Sequence, residues 1–276
     1  MLDFLSFAQA HGVEIRHLQA DGVIHHCPTA DKPKSRNGRY LYYGDWGWVQ
    51  NWATQEKEVY WHADGTPQEI PLLPARYNPE REREERARRA QAAQQAADIV
   101  ATSRLDVHPY LASKGFPTVQ ALIHTDGRMV VPMRDVVNYR QIKSVQFIDP
   151  DGTKKFLFNG EAKDAVMILG TGNETWLCEG YATALSLRAA LDALYRKSRV
   201  VICFSAGNLH RVASMLGGVR SVMADNDESG TGERAAIATG LPWVMPPMVG
   251  DDANDLHQRA GLVALCSLLM EVRGKD

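Results

Sequence analysis

The chain has 276 residues, of which 45% are hydrophobic and 23% charged, a composition typical of a soluble globular protein with about two domains. Its 31 lysines and arginines and its 33 acidic residues give a net charge of −2, which excludes nucleic-acid binding by bulk charge alone. We find no apolar run long enough for a transmembrane helix, no signal peptide, and only four scattered cysteines. We therefore expect a reduced, cytoplasmic protein with no membrane partner.

Residues 1–75 are rich in aromatic side chains and turn residues, which predicts a small α+β or all-β module. The aromatic residues form either a small core of large side chains or a surface on which nucleic-acid bases stack. The aromatic residues concerned are Tyr40, Tyr42, Tyr43, Trp46, Trp48, Trp52, Tyr60 and Trp61.

The run from Glu80 to Ala97 has almost no bulky apolar side chains, and we interpret residues 79–104 as a solvated linker helix. Glutamates precede arginines by four residues, a spacing that stabilises an exposed helix by a few tenths of a kcal/mol per pair, about 0.2–0.5. The acids nearly cancel the arginines, so this helix is a weak candidate for phosphate binding. The pairs are Glu82 with Arg86, Glu84 with Arg88, and Glu85 with Arg89.

Residues 105–172 return to a globular pattern and predict a small β-rich subdomain. A short helix is expected from His108 to Gly115. Three β-like runs follow it, over residues 128–133, 139–148 and 155–158.

Residues 173–276 alternate apolar strand-like runs with helical patterns, which predicts an α/β domain with a parallel sheet of about four strands and flanking helices. The expected strands cover residues 175–178, 200–204, 220–224 and 243–245.

Acidic residues follow three of these four expected strands. Ligands of parallel α/β sheets bind beyond the carboxyl ends of the strands, so we expect these carboxylates to lie close together. Such a cluster is self-repulsive unless a divalent cation neutralises it, and oxygen ligands favour Mg²⁺ or Mn²⁺ over Zn²⁺. A single acid, such as Asp227, could instead be only a helix N-cap. The candidate ligands are Glu179, Asp225, Asp227, Asp252 and Asp255, with Asp251 beside them.

Residues 174–258 resemble a Toprim domain, the metal-binding α/β layer of bacterial-type primases, topoisomerases and some nucleases. The resemblance lies in Glu179-Gly180, in Asp225-Asn226-Asp227 with Ser229-Gly230, and in Asp252-Ala253-Asn254-Asp255. The upstream segments His108-Pro109-Tyr110-Leu111, Gln146-Phe147-Ile148 and Asp151-Gly152-Thr153-Lys154-Lys155-Phe156 are similar to the part that precedes Toprim in phage and plasmid primases. The order of the motifs is specific, whereas Glu-Gly or Asp-x-Asp alone would be weak.

The resemblance implies a DNA primase that makes short RNA primers from ribonucleoside triphosphates on a single-stranded DNA template, in a bacterial or phage-infected cytoplasm. It implies catalytic roles for Glu179, Asp225 and Asp227, which would hold two Mg²⁺ or Mn²⁺ ions together with Asp252 and Asp255. A basic track on adjacent β-like runs would bind template and nucleotide, and its residues could share one face of the sheet. The track comprises Arg128, Arg134, Lys143, Lys154 and Lys155.

Two features differ from replicative bacterial primases. His25-His26-Cys27 has no Cys-x-x-Cys partner, so we expect no zinc module. We also find no Gly-x-x-x-x-Gly-Lys-Ser/Thr loop, so any helicase would be a separate partner. The alternatives left open are a Toprim-type metal-dependent DNA nuclease and a non-catalytic protein that binds single-stranded DNA or a replisome component. A topoisomerase is less favoured, because no tyrosine is marked out as a nucleophile.

Overall fold

The computed structural model describes residues 3–55, 57–65 and 79–274, which belong to two compact units, Met1–Arg83 and Glu84–Asp276. The end of the predicted N-terminal module, residues 66–75, lies outside the described residues. Within the described ranges, none of the helices combines the length and apolar character that crossing a membrane requires.

The first unit is an α+β module, as one of the two sequence interpretations predicts. Helix α1 (Phe4–Ala10) begins at Asp3, whose side chain accepts a hydrogen bond from the Ser6 N–H at 2.8 Å. A four-stranded antiparallel sheet in the order β1-β2-β3-β4 follows it. Its strands are β1 (His25–Cys27), β2 (Gly38–Tyr42), β3 (Trp46–Asn51) and β4 (Val59–His62).

The aromatic residues of this module are divided between core and surface. Phe4 and Tyr40 are buried with Val49 in one apolar cluster, and Trp48 is also buried. Trp52, in contrast, is 57% exposed. Large side chains therefore build the small core, and part of the aromatic set remains accessible.

Helix α2 (Pro79–Thr102) occupies nearly the whole range predicted for a linker helix. Its first half is exposed and carries the expected i,i+4 ion pairs, among them Glu85 with Arg89 at 3.8 Å. Its second half is not solvated, because Ala96 and Ile99 are buried against Val145 and neighbouring strand residues. The prediction of a solvated linker is therefore wrong for this half, which is part of the core of the second unit.

The second unit contains a ten-stranded sheet in the order β14-β13-β11-β12-β10-β7-β6-β5, with β8 paired to β7 and β9 paired to β8. Strands β14, β13, β11 and β12 are parallel, which confirms the predicted four-stranded parallel arrangement. The strands are β5 (Arg104–Asp106), β6 (Ala121–Ile123), β7 (Met129–Asp135), β8 (Ile142–Ile148), β9 (Lys154–Phe156), β10 (Ala165–Leu169), β11 (Glu174–Cys178), β12 (Ser198–Ile202), β13 (Val219–Met223) and β14 (Trp243–Val244).

Strand β10 joins the two regions that the sequence pattern separates at residue 172. It pairs antiparallel with β12, where Met167 faces Ile202, and with β7, where Val166 faces Arg134. The β-rich region and the α/β region thus share one continuous sheet.

Helices cover both faces of the parallel strands. Helices α4 and α7 contribute to an apolar layer around Trp176, and α5 and α6 contribute to a second layer around Leu177. Because the strands are parallel, the carboxyl ends of β11, β12, β13 and β14 meet at one edge of the sheet. The helices are α3 (Pro109–Ser113), α4 (Tyr181–Ala193), α5 (Ala206–Met215), α6 (Thr231–Ala238) and α7 (Ala253–Met270), followed by a 3-10 turn (Glu271–Gly274).

Candidate active site

Asp225 lies two residues beyond β13 and is the most strongly perturbed carboxylate of the predicted site. Its Oδ1 atom is buried and has no hydrogen-bond partner among the residues that the structure describes. Burial, followed by the negative charges of Asp252 and Glu179, raises its pKa to about 7, against the opposing charge of Lys154. Asp225 is therefore a carboxylate whose negative charge the surrounding protein does not neutralise.

Glu179 is the first residue after β11, the strand that pairs with β13. Burial raises its pKa, the charge of Asp227 adds to the effect, and a hydrogen bond from the Ala206 N–H opposes it. The Glu179 carbonyl also accepts a hydrogen bond from the Phe204 N–H at 3.0 Å. The turn between β12 and α5 thus binds both the side chain and the backbone carbonyl of Glu179 and holds this residue near Asp225.

The Asp227 carboxylate is hydrogen-bonded to the N-terminal turn of α6. Its Oδ2 accepts the Gly232 N–H at 2.7 Å, and its Oδ1 accepts the Thr231 N–H at 3.1 Å and the Ser229 hydroxyl. The Ser229 hydroxyl is the largest cause that lowers the pKa of Asp227, to about 2. Asp227 therefore accepts hydrogen bonds from the first turn of α6, although the N-cap position itself is held by Gly230.

Gly232 lets α6 approach the end of β13 this closely. A Cβ atom at this position would lie 2.2 Å from the Asp225 backbone carbonyl oxygen, a contact that side chains do not tolerate. The glycine thus places the first turn of α6 directly against the Asp225-Asn226-Asp227 segment.

Asp252 and Asp255 form a reciprocal cap at the start of α7. The Asp252 Oδ1 accepts the Asn254 N–H at 2.7 Å and the Asp255 N–H at 3.0 Å, and the Asp255 Oδ2 accepts the Asp252 N–H at 3.1 Å. Asp255 also lies 3.5 Å from the Lys114 Nζ atom. The charge of Asp252 raises the pKa of Asp225, whereas Asp255 is paired with the ammonium group of Lys114.

Tyr110 is a member of this site that the sequence reasoning did not assign. Its hydroxyl is buried with no hydrogen-bond partner among the described residues. Burial, followed by the nearby charges of Asp252 and Asp255, raises the pKa of Tyr110 to about 12. The sequence offered only the segment His108-Pro109-Tyr110-Leu111, which predicts a helix start and gives no sign that the phenol faces these acids.

The cluster fits a divalent cation by its chemistry, although its side chains are not arranged as a closed coordination shell. In the part of the chain that the structure describes, no three His, Cys, Asp or Glu side chains are grouped to hold a metal ion. Among the described residues the buried Asp225 Oδ1 nevertheless has no hydrogen-bond partner, and Glu179 and Asp252 both repel the charged form of Asp225. Oxygen donors with uncompensated charge are the ligand type that Mg²⁺ and Mn²⁺ take.

The predicted basic residues are distributed over both faces of the sheet. Phe147 pairs with Lys155 and Ile148 pairs with Lys154, so the two lysines point to opposite faces. Lys154 is on the side of Asp225, whose pKa it lowers, and its Nζ lies 5.9 Å from the centre of the Tyr110 ring. The strand register therefore separates Lys154 from Lys155 within the predicted track.

The other basic residues have partners within the chain. Arg128 donates to Asp126 at 2.7 Å and lies 3.7 Å from the centre of the Phe147 ring. Lys143 is mostly buried and pairs with Glu161 at 3.1 Å. The remaining contacts are Lys155 with Asp149 at 3.1 Å and Arg134 with the Tyr139 carbonyl oxygen at 3.3 Å. Binding of a nucleic acid by these residues would require exchange of these partners.

No model of a known protein family matches the chain. Among solved structures, the chain is similar to the catalytic core of DnaG, with 14% sequence identity and a TM-score of 0.36. The match covers 52% of each chain, so it spans about half the length of that structure. At this TM-score the likeness carries no inference about fold or function, which must come from the residues of this chain.

Proposed function

We propose that the protein is a metal-dependent nucleotidyltransferase of the DNA primase type, which makes short RNA primers on single-stranded DNA in phage or plasmid replication. The observation that carries the proposal is the Asp225 carboxylate, which is partly buried and faces Glu179 and Asp252 at the carboxyl edge of a parallel sheet. One of its oxygens has no hydrogen-bond partner in the described part of the chain. Unneutralised carboxylates at that edge suit chemistry in which cations and a triphosphate supply the missing charges.

Within this proposal Glu179, Asp225 and Asp252 hold Mg²⁺ or Mn²⁺, which would neutralise triphosphate charge and favour ionisation of the primer hydroxyl. Asp227 and Asp255 remain proposed ligands, but each would have to leave a present partner, the α6 N-terminus or Lys114. Lys154 is on the same side as Asp225 and is the predicted basic residue best placed for a phosphate.

The direct test is primer synthesis by the whole protein. With single-stranded DNA, ribonucleoside triphosphates and Mg²⁺ or Mn²⁺, we expect short RNA products that disappear when the template or the metal is omitted. Nicking of DNA without nucleotides would instead indicate the nuclease alternative. DNA binding that is unaffected by EDTA, with no product on any template, would indicate a non-catalytic binding protein.

The first unit contains a cavity that suits the phosphates of a single-stranded template. Its volume is about 480 Å³. Three cationic side chains and the single carboxylate of Glu14 are among its lining residues, although the chain as a whole is slightly negative. The cations are Arg16, Lys34 and Arg36, all of them exposed. We propose that this cavity contacts the backbone of the DNA template.

Replacing Lys34 with glutamate is expected to weaken single-stranded DNA binding several-fold at low salt and to reduce the salt dependence by about one phosphate contact. Fluorescence anisotropy of a labelled oligonucleotide at several salt concentrations measures both effects. Lys32→Glu is the matched control, because Lys32 is exposed on the same loop but does not line the cavity. Equal losses in the two variants would show that the cavity has no special role.

A further inference from the structure

Strand β9 presents a cation and an aromatic ring on one side. Lys154 and Phe156 are two residues apart on an extended strand, so both point to the same face of the sheet at a spacing of roughly 6.6 Å. The strand lies at the margin of the sheet, where it pairs with β8. Phe156 is 46% exposed, which is high for a phenylalanine.

The ring of Phe156 contacts the ring of Phe204. The two ring centres are 6.5 Å apart and the planes are inclined by 76°, an edge-to-face arrangement. Phe204 is partly buried against the core and supports the more exposed Phe156. Its φ of 67° is a strained conformation for a bulky residue. The fold thus holds an aromatic ring here against the local backbone preference.

Two separate links connect this aromatic pair to the acidic cluster. The Phe204 N–H donates to the Glu179 carbonyl oxygen at 3.0 Å, so the turn that carries the ring also fixes Glu179. Lys154, on the same side of β9 as Phe156, interacts electrostatically with Asp225. The exposed Phe156 ring and the Lys154 ammonium group therefore flank the carboxylates of the candidate active site.

We propose that Phe156, supported by Phe204, is a stacking platform for one nucleotide base at the acidic cluster, and that Lys154 contacts a phosphate of the same nucleotide. The inference rests on the proposed primase function and extends it to a base-binding residue. An aromatic face accepts any base, so this platform would hold a nucleotide without reading its identity, as templated synthesis requires of a site that must accept all four bases. The nucleotide is either the incoming triphosphate or a template residue, which share this chemistry.

The test uses the fluorescence of 2-aminopurine, which falls when the base stacks on an aromatic ring. The whole protein is titrated, in Mg²⁺, into 2-aminopurine riboside triphosphate and separately into single-stranded DNA with one 2-aminopurine. We expect one of the two probes to be quenched, and the responding probe identifies the bound nucleotide. Phe156→Ala should abolish that quenching and weaken binding by roughly 10-fold, whereas Phe156→Trp should preserve both.

Two further variants complete the design. Phe156→Leu keeps an apolar side chain without a π-face and should behave like the alanine variant. Tyr195→Ala removes a 96% exposed ring just beyond the end of α4 and should change nothing. Quenching that survives in Phe156→Ala, or that is absent with both probes in the wild type, would overturn the proposal.

This experiment requires no turnover, so it separates the two hypotheses. If quenching depends on Phe156 but the protein makes no RNA, the result supports the stacking platform and contradicts the primase function. If RNA synthesis proceeds and Phe156→Ala leaves both quenching and the KM for nucleotides unchanged, the platform fails and the primase function stands.

Discussion

Replacement of Asp225 with asparagine is expected to lower RNA synthesis by on the order of 1,000-fold while the protein remains folded. The change keeps the size of the side chain and removes its charge. Asp225 has a buried oxygen without a hydrogen-bond partner in the ranges that the structure describes, whereas the Asp227 carboxylate is hydrogen-bonded to the α6 backbone. The loss of this one carboxylate should therefore remove cation binding more completely than the loss of any other acid in the cluster.

Glu228→Gln is the matched control, because Glu228 is an exposed acid only three residues further along the chain. Primer yield is measured on the same template for both variants, and circular dichroism confirms their folding. We expect the control to retain wild-type yield. Equal activity of Asp225→Asn and wild type would remove Asp225 from the catalytic machinery and, with it, the central observation behind the proposed function.

The same substitution is expected to stabilise the metal-free protein at pH 8. In the folded state the pKa of Asp225 is about 7, well above its ordinary value of 3.8, so the folded protein holds this proton more tightly than the unfolded chain. The contribution of Asp225 to the free energy of unfolding of the wild type should therefore decrease as the pH rises from about 4 to about 7. Asparagine has no such titration, so the variant should be more stable at pH 8 by on the order of 2 kcal/mol.

Thermal unfolding in EDTA at pH 5 and pH 8 measures this effect. A gain of this size corresponds to several degrees in Tm, at about 2–4 °C per kcal/mol, and it should shrink towards pH 5. Added Mg²⁺ or Mn²⁺ should raise the Tm of the wild type at pH 8 much more than that of Asp225→Asn. A variant that is less stable than wild type at pH 8, or a wild type that gains nothing from either metal, would contradict the electrostatic account of the cluster.

Local sequence patterns were sufficient for the parts of the fold that depend on neighbouring residues. The alternation of apolar runs and helical patterns over residues 173–276 predicted four parallel strands and their helices, because burial on both faces makes such strands continuously apolar. The positions of Glu179 and Asp225 directly after their strands also followed, since the carboxyl ends of parallel strands share one edge of the sheet. The apolar residues of α2 that pack against the sheet, Ala96, Ile99 and Val100, lie at the end of a long polar run, and that run hides their helical periodicity.

The sequence by itself determined the class of fold and the edge of the parallel sheet at which Glu179 and Asp225 lie. Only the tertiary structure decided which acids have partners. Asp227 bonds to the α6 N-terminus and Asp255 lies near Lys114, whereas one oxygen of Asp225 has no partner among the residues described by the structure. It also decided that Lys154 and Lys155 face opposite sides, because the strand register fixes each side chain's face. The partner of each polar group can come from a distant part of the chain. Which partner it has depends on distances in space, and a local sequence pattern carries no information about them.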